Sequence, residues 1–219
     1  MNNQNNDNKI AYSSIAQIYA GEEPGEEDPI MRKQTRAAFT LKLKGKKILE
    51  IGCGPGTDSK FFHDQGFEVT ATDFCEEFID IVKKRYPQIN ALVMDMTNIT
   101  LPDNSFNGIY GFATFIHLPR TKALAVLKKF RSLLESKGIL YLTLIKSEIH
   151  DEYYIDNWGG KEGNKVLFTC YSEDEFKNLL NQADFNNIEF STIKSELYET
   201  LPRLVERKVQ TYHVTAIKD

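Results

Sequence analysis

Apolar residues along this chain recur first at helical spacing and later in short blocks. Ile10, Tyr12, Ile15, Ile18 and Tyr19 fit one face of a short amphipathic helix that Gly21 ends. A second helix is predicted from Ile30 to Phe39. Between them Glu22, Glu23, Glu26, Glu27 and Asp28 surround Pro24, Gly25 and Pro29, the composition of a solvated hinge. After the basic stretch Lys42 to Lys47, short apolar runs alternate with amphipathic segments of helix length, which is the α/β signature. Strands are predicted near Lys47 to Ile51, Glu68 to Thr72, Ala91 to Met94, Gly108 to Phe112, Gly138 to Ile145, Ile188 to Lys194 and Gln210 to Ile217. Helices fill the gaps at Thr57 to Gln65, Glu76 to Tyr86, Pro119 to Ser136 and Ser172 to Gln182, the last opened by a Ser172/Glu175 capping box.

Two segments stand outside this rhythm. The opening Asn2 to Asn8 is a short, Asn-rich, polar tract that reads as a disordered tail without a function. The segment Ser147 to Lys165 carries Tyr153, Tyr154, Trp158, Gly159 and Gly160 and reads as an irregular insertion that caps a substrate site. The predicted organisation is therefore a tail and N-terminal helical lid over residues 1–40, followed by one α/β domain over residues 41–219 that contains the 147–165 insertion.

Charge and cysteine content narrow the classes further. The 27 basic and 31 acidic side chains leave a net charge of −4, which opposes a sequence-independent grip on nucleic acid or on an anionic membrane. Cys53, Cys75 and Cys170 are an odd number at wide spacings, which suggests neither a disulfide framework nor a structural zinc site and fits a reducing cytoplasm. The N-terminus has no cationic start followed by an apolar stretch, so export is not expected, and no segment offers the roughly 20 apolar residues of a membrane span.

The densest chemical signal is Ile48-Leu49-Glu50-Ile51-Gly52-Cys53-Gly54-Pro55-Gly56, a strand running into a glycine-rich turn and then a helix. Such a turn lets a nucleotide-like ligand lie against backbone amides. A dinucleotide fingerprint would need its third glycine where Thr57 stands, so a pyrophosphate is not favoured. Glu50, a buried acid ahead of the loop, would repel phosphate and suits a ligand bearing positive charge. Asp73 closes the second strand and can accept from both hydroxyls of an unphosphorylated ribose. Asp95 ends the third strand, where an adenine amino group finds an acceptor, and Phe74 and Met96 are placed to sandwich the ring.

Taken together, Glu50-Ile-Gly52-Cys-Gly54-Pro-Gly56, Asp73, Asp95-Met96 and Leu101-Pro102-Asp103-Asn104-Ser105-Phe106 resemble the class I S-adenosylmethionine-dependent methyltransferases, in the type 11-like branch that acts mostly on small molecules. The resemblance covers residues 45 to 145. It implies a Rossmann-like, doubly wound, seven-stranded mixed sheet with the last strand antiparallel. It also implies S-adenosylmethionine as cofactor and S-adenosylhomocysteine as product. Gly52, Gly54 and Gly56 would then lie near the methionine moiety, Asp73 on the ribose, Asp95 and Met96 at the adenine, and Phe112 would offer backbone near the cofactor's amino group. Two positions depart from the branch: Asn107 stands where Asp is usual, and Ile116-His117-Leu118 carries one histidine where some relatives have two.

Methyl transfer from a sulfonium is an in-line displacement whose leaving group needs no proton, so positioning is most of the catalysis. If the acceptor must lose a proton, His117 is the candidate base. Tyr12, Tyr19 and Arg36 precede the first strand, in the region that folds over the cofactor in related enzymes. His63, His150 and His213 show no metal-ligand spacing. The expected activity is methyl transfer from S-adenosylmethionine to an O, N or C nucleophile of a small-molecule acceptor, with neither nucleic acid nor membrane as partner. The alternatives are an NAD-dependent oxidoreductase on a similar sheet and a non-catalytic S-adenosylmethionine-binding module.

Overall fold

The computed structural model of the chain describes residues 3–21, 30–147, 151–192 and 209–219. Seven strands form one sheet: β1 (Lys47–Ile51), β2 (Glu68–Asp73), β3 (Asn90–Val93), β4 (Phe106–Gly111), β5 (Leu134–Ser147), β8 (Asn186–Ser191) and β9 (Val209–Ile217). Their spatial order is β3-β2-β1-β4-β5-β9-β8. β1 to β5 run parallel, and β9 lies antiparallel between β5 and β8. The order in which strands are added across the sheet thus reverses between β1 and β4, the switch point outside whose strand ends open α/β sheets bind ligands.

Alternation along the strands sends side chains into two cores, because successive residues point to opposite faces. Ile48 and Tyr110 pack with Phe39 of α2 (Ile30–Lys42), Phe62 of α3 (Thr57–Asp64), and Ile79 and Val82 of α4 (Glu76–Arg85). Leu49, Ile109, Leu140 and Leu142 pack with Phe130 of α5 (Ala123–Leu133) and Phe176 of α6 (Glu173–Gln182). The predicted capping box holds its first half, since Ser172 Oγ accepts the Glu175 amide.

Three expectations need correction. The Asn-rich opening is not a loose tail within the described residues: α1 runs from Asn3 to Ala20, and Asn8 is buried. Asparagine is a poor helix former, and tertiary hydrogen bonds override that preference here. The helix predicted from Pro119 to Ser136 is a 3-10 turn at Arg120–Lys122 followed by α5, and β5 begins already at Leu134, opposite Phe106. The 147–165 segment is not irregular throughout. β6 (Glu152–Asp156) and β7 (Lys165–Thr169) form an antiparallel hairpin with Tyr153 stacked on Phe168 at a ring separation of 5.6 Å. The acidic hinge 22–29, His150, the end of the predicted 188–194 strand and the 196–207 connection lie outside the described residues.

α1 crosses over the sheet's carboxyl edge and is tied down on both sides. Ala16 and Ala20 pack with Phe78 and Ile81 of α4, and the Arg85 guanidinium donates to the carbonyls of Ala20 and Gly21 at 3.2 and 2.7 Å, satisfying the helix's C-terminal end. On its other side α1 meets the hairpin, where Asn164 Nδ2 donates to Ser14 Oγ at 2.9 Å and to Ala11 O at 3.4 Å.

Candidate active site

A cavity of about 380 Å³ lies between the tips of β1, β2 and β4 and the underside of α1. That volume falls toward the small end of the roughly 300–1,000 Å³ range of ligand sites. Gly52, Gly54, Asp73, Phe74, Asp95, Met96, Phe112 and His117 all line it, so eight of the positions singled out from sequence converge on one space. Glu50 and Gly56 are not among its lining residues.

The loop geometry explains both groups. Gly52 has φ of 66°, and a Cβ there would stand 2.1 Å from Thr114 Oγ1, so no larger residue fits between the first and fourth strand tips. Gly56 has φ of 86°, and a Cβ would come 2.8 Å from Val82 Cγ2; its work is the close packing of α3 on α4 beneath the cavity. Of the three glycines, Gly52 and Gly54 line the cavity and Gly56 does not.

Asp73 is 5% exposed, and two backbone amides orient it: Gly54 N–H donates to Oδ2 and Cys75 N–H to Oδ1, each at 2.9 Å. A carboxylate has about four acceptor positions, so Asp73 keeps acceptor capacity toward the cavity. Burial pushes its pKa up to about 6, against the pull of the Cys75, Gly54 and Phe74 amides. Asp95 Oδ1 accepts the Thr97 amide at 2.7 Å, which holds the third acid at the rim.

Glu50 points away from the ligand space. It is 2% exposed and accepts from Ser59 Oγ of α3. Burial, and then the neighbouring Asp58 charge, raise its pKa to about 8, while Ser59, Arg32 and Arg36 work in the other direction. Asp58, itself buried, takes Arg36 Nε at 2.5 Å and Arg32 through Nε and Nη2, each at 3.0 Å. Arg32 also lies over the Phe112 ring at 4.8 Å and lines the cavity. Sequence reading picked out Arg36, which is buried under this network, and passed over Arg32 one turn earlier, which reaches the cavity. The i, i+4 spacing of the two arginines was the available signal.

On the α1 side, Tyr12, Tyr19 and Phe78 wall the cavity, with ring centroids 6.0 Å apart for Tyr12 and Tyr19 and 5.7 Å for Tyr19 and Phe78. His117 lies in a 3-10 turn, Phe115–His117, just beyond β4. Its Nδ1 is 2.8 Å from the Leu167 carbonyl and its Nε2 2.9 Å from Tyr12 Oη. Burial pulls its pKa down to about 4, more than the Leu167 carbonyl offsets, so the imidazole is neutral at pH 7. A proton leaving a bound molecule for Nε2 has to pass through, or displace, the Tyr12 hydroxyl. Asn8, another cavity residue, had no sequence signal apart from its place in the asparagine tract.

Among the described residues, no three His, Cys, Asp or Glu side chains gather where they could hold a metal ion, and no helix is long and apolar enough to cross a membrane.

Comparison with known proteins agrees with this geometry. A family profile described as a methyltransferase domain matches residues 26–190, well over half of the chain. Demethylmenaquinone methyltransferase of Paenarthrobacter aurescens is 38% identical over 70 residues, which are 32% of this chain and 27% of that protein. Ubiquinone biosynthesis O-methyltransferase of Actinobacillus pleuropneumoniae is 27% identical over 173 residues, covering 73% of this chain and 72% of the relative. Among solved structures, the 1,6-didemethyltoxoflavin-N1-methyltransferase of Burkholderia thailandensis, with its substrate and S-adenosylhomocysteine bound, superposes with a TM-score of 0.68 over 95% of this chain and 84% of that one. At 16% sequence identity that likeness shows the fold.

Proposed function

From the premise that this chain belongs to the methyltransferase-domain family, we propose that it transfers a methyl group from S-adenosylmethionine to an oxygen or nitrogen of a small molecule. The observation that carries this reading is Asp73: a buried carboxylate at the second strand tip, held by the Gly54 and Cys75 amides and facing a cavity with room for a nucleoside.

The donor set suits that cofactor group by group. Asp73 would accept the ribose hydroxyls, Asp95 the adenine amino group, and Phe74 and Met96 would flank the ring. Gly52 and Gly54 would border the methionine chain, and the Arg32 guanidinium, kept charged by Asp58, would meet its carboxylate. Phe112 would lie beside the cofactor's amino group. The Asp73 carboxylate favours a net cationic ligand over a pyrophosphate. When bound, S-adenosylmethionine supplies an electrophilic methyl whose C–S bonding pair returns to sulfur as the acceptor's lone pair bonds to carbon.

The chain's own work is then to align and to exclude water. Tyr12, Tyr19 and Phe78 close the space from the α1 side, and Met94 and Leu118 add apolar wall. The surplus proton on an O–H or N–H acceptor would pass to Tyr12 Oη as the Tyr12 proton passes to His117 Nε2, the resulting imidazolium keeping its Nδ1–H on the Leu167 carbonyl. The cited relatives, an O-methyltransferase of ubiquinone biosynthesis and an N1-methyltransferase of 1,6-didemethyltoxoflavin, support oxygen or nitrogen acceptors. The modest cavity supports a small one.

The test is a methyl-transfer assay with labelled S-adenosylmethionine against a panel of hydroxylated and amino metabolites, with Asp73→Ala as control. Label transfer that the control loses supports the proposal. Protein that takes up NAD instead, or binds the methyl donor without ever transferring label, would move it to one of the alternative classes.

A further inference from the structure

Asn8 stands in the asparagine tract, a stretch to which neither motif nor composition gives a role. Its carboxamide is 2% exposed, and both ends are engaged: Oδ1 accepts the Leu167 amide at 2.8 Å, and Nδ2 donates to the His117 carbonyl at 3.1 Å. Those partners fix which end is oxygen and which is nitrogen, because a backbone N–H only donates and a carbonyl only accepts. The same logic runs on around the site. The Leu167 carbonyl forces the proton of neutral His117 onto Nδ1, which leaves a lone pair on Nε2, so Tyr12 is the donor in the Tyr12–His117 bond.

Four hydrogen bonds therefore link α1, the turn after β4, and β7 into a closed circuit whose proton positions are dictated by backbone groups. Asn8 and Tyr12 are four residues apart and so lie on one face of α1. The grip on the amide sets the height at which the Tyr12 hydroxyl meets the imidazole.

We propose that Asn8 is a positioning residue for the transfer: it holds α1 in the register in which Tyr12 donates to His117, so that toward a substrate the Tyr12 oxygen acts as a hydrogen-bond acceptor. This rests on the methyltransferase reading of the cavity. It also narrows the substrate class. A hydroxyl whose proton is committed to Nε2 favours acceptors that bring their own O–H or N–H, and disfavours tertiary amines and thioethers, which bring none.

The experiment uses the full chain with 15N-labelled histidine. His117 in the wild type should show a single neutral tautomer, Nδ1 protonated. Asn8→Ala should leave Nδ1 protonated, since the Leu167 carbonyl remains, but weaken the Tyr12 bond so that the Nε2 resonance moves toward that of an unbonded imidazole nitrogen, and lower turnover about tenfold or more on the acceptor identified by the metabolite panel, while the Kd for S-adenosylhomocysteine stays within about twofold. Asn8→Asp separates positioning from mere packing, and serves if Asn8→Ala does not fold. Its carboxyl group offers a donor and an acceptor only while protonated, so the wild-type Nε2 resonance should be present on the acid side of that group's titration and lost on the alkaline side. A folded Asn8→Ala with the wild-type Nε2 resonance and full turnover, or an Asn8→Asp indifferent to pH, would overturn the proposal. Failure of the wild type to take up S-adenosylhomocysteine would instead remove the methyltransferase reading, and the role in transfer with it. The two failures are distinguishable because the Nε2 resonance is read without cofactor.

Discussion

The two walls of the cavity are made in different ways. The strand-tip wall is assembled from neighbours in sequence: Gly52, Gly54 and Asp73 fall within one βαβ unit, and the bond that orients Asp73 joins residues 19 apart. The α1 wall is assembled at long range, with Asn8, Tyr12, His117 and Leu167 bonded across separations of 105, 109 and 159 residues. The first wall is a backbone device whose chemistry travels with the motif. The second exists only when three distant segments dock together, and on the proposed reading it is where a particular acceptor is chosen. Substitutions on the first should change cofactor affinity, and substitutions on the second should change turnover.

The largest effect should come from Asp73→Ala. Loss of a charged acceptor for two ribose hydroxyls should weaken S-adenosylmethionine binding about 100-fold by calorimetry, or about 2.8 kcal/mol. The thermal midpoint should move little, because a costly buried carboxylate disappears together with its two amide bonds. Tyr12→Phe should reverse the pattern, lowering turnover on the order of tenfold or more while cofactor affinity stays within about twofold. An equal loss in both quantities would erase the distinction between the walls.

The pH dependence sharpens the same contrast. The Asp73 carboxyl, raised to about 6 by burial, accepts both hydroxyls only when ionised. Cofactor affinity should therefore fall as pH drops through about 6, and this limb should persist in His117→Gln, since His117 is already neutral above about pH 4. The stability sign is opposite. Between 3.8, the carboxyl's ordinary value, and about 6, the folded cofactor-free chain holds more protons than the unfolded one, so its Asp73-linked stability declines as pH rises through that window. The smallest effect is expected for Asn164→Ala, which removes the amide that ties the hairpin to Ala11 and Ser14. It should cost about 1–2 kcal/mol of stability by denaturant melt and leave cofactor affinity unchanged.

The same division decided what could be read in advance. Period-2 blocks, the glycine turn and the acids at strand ends are local signals, and they located β1, β2 and Asp73 within a residue of their places. The paired strands β6 and β7 were hidden because Tyr153-Tyr154-Ile155 and Val166-Leu167-Phe168 are short and separated by a glycine-containing turn that carries no two-residue hairpin signature. Glu50 was correctly expected to be buried, but which way a strand-end acid faces depends on the sheet face, and here that face meets Ser59. Asn8 could not be told from its neighbouring asparagines, since its role exists only through Leu167 and His117, more than 100 residues away.

The most direct measurement is calorimetric titration of the purified full chain with S-adenosylmethionine, with NAD run alongside and the Asp73→Ala protein as reference. One molecule of the sulfonium bound per chain, no heat from NAD, and loss of the signal in the reference is the predicted outcome. A folded chain that gives no heat with the sulfonium, or binds it as well without the Asp73 carboxylate, would contradict the account at its base.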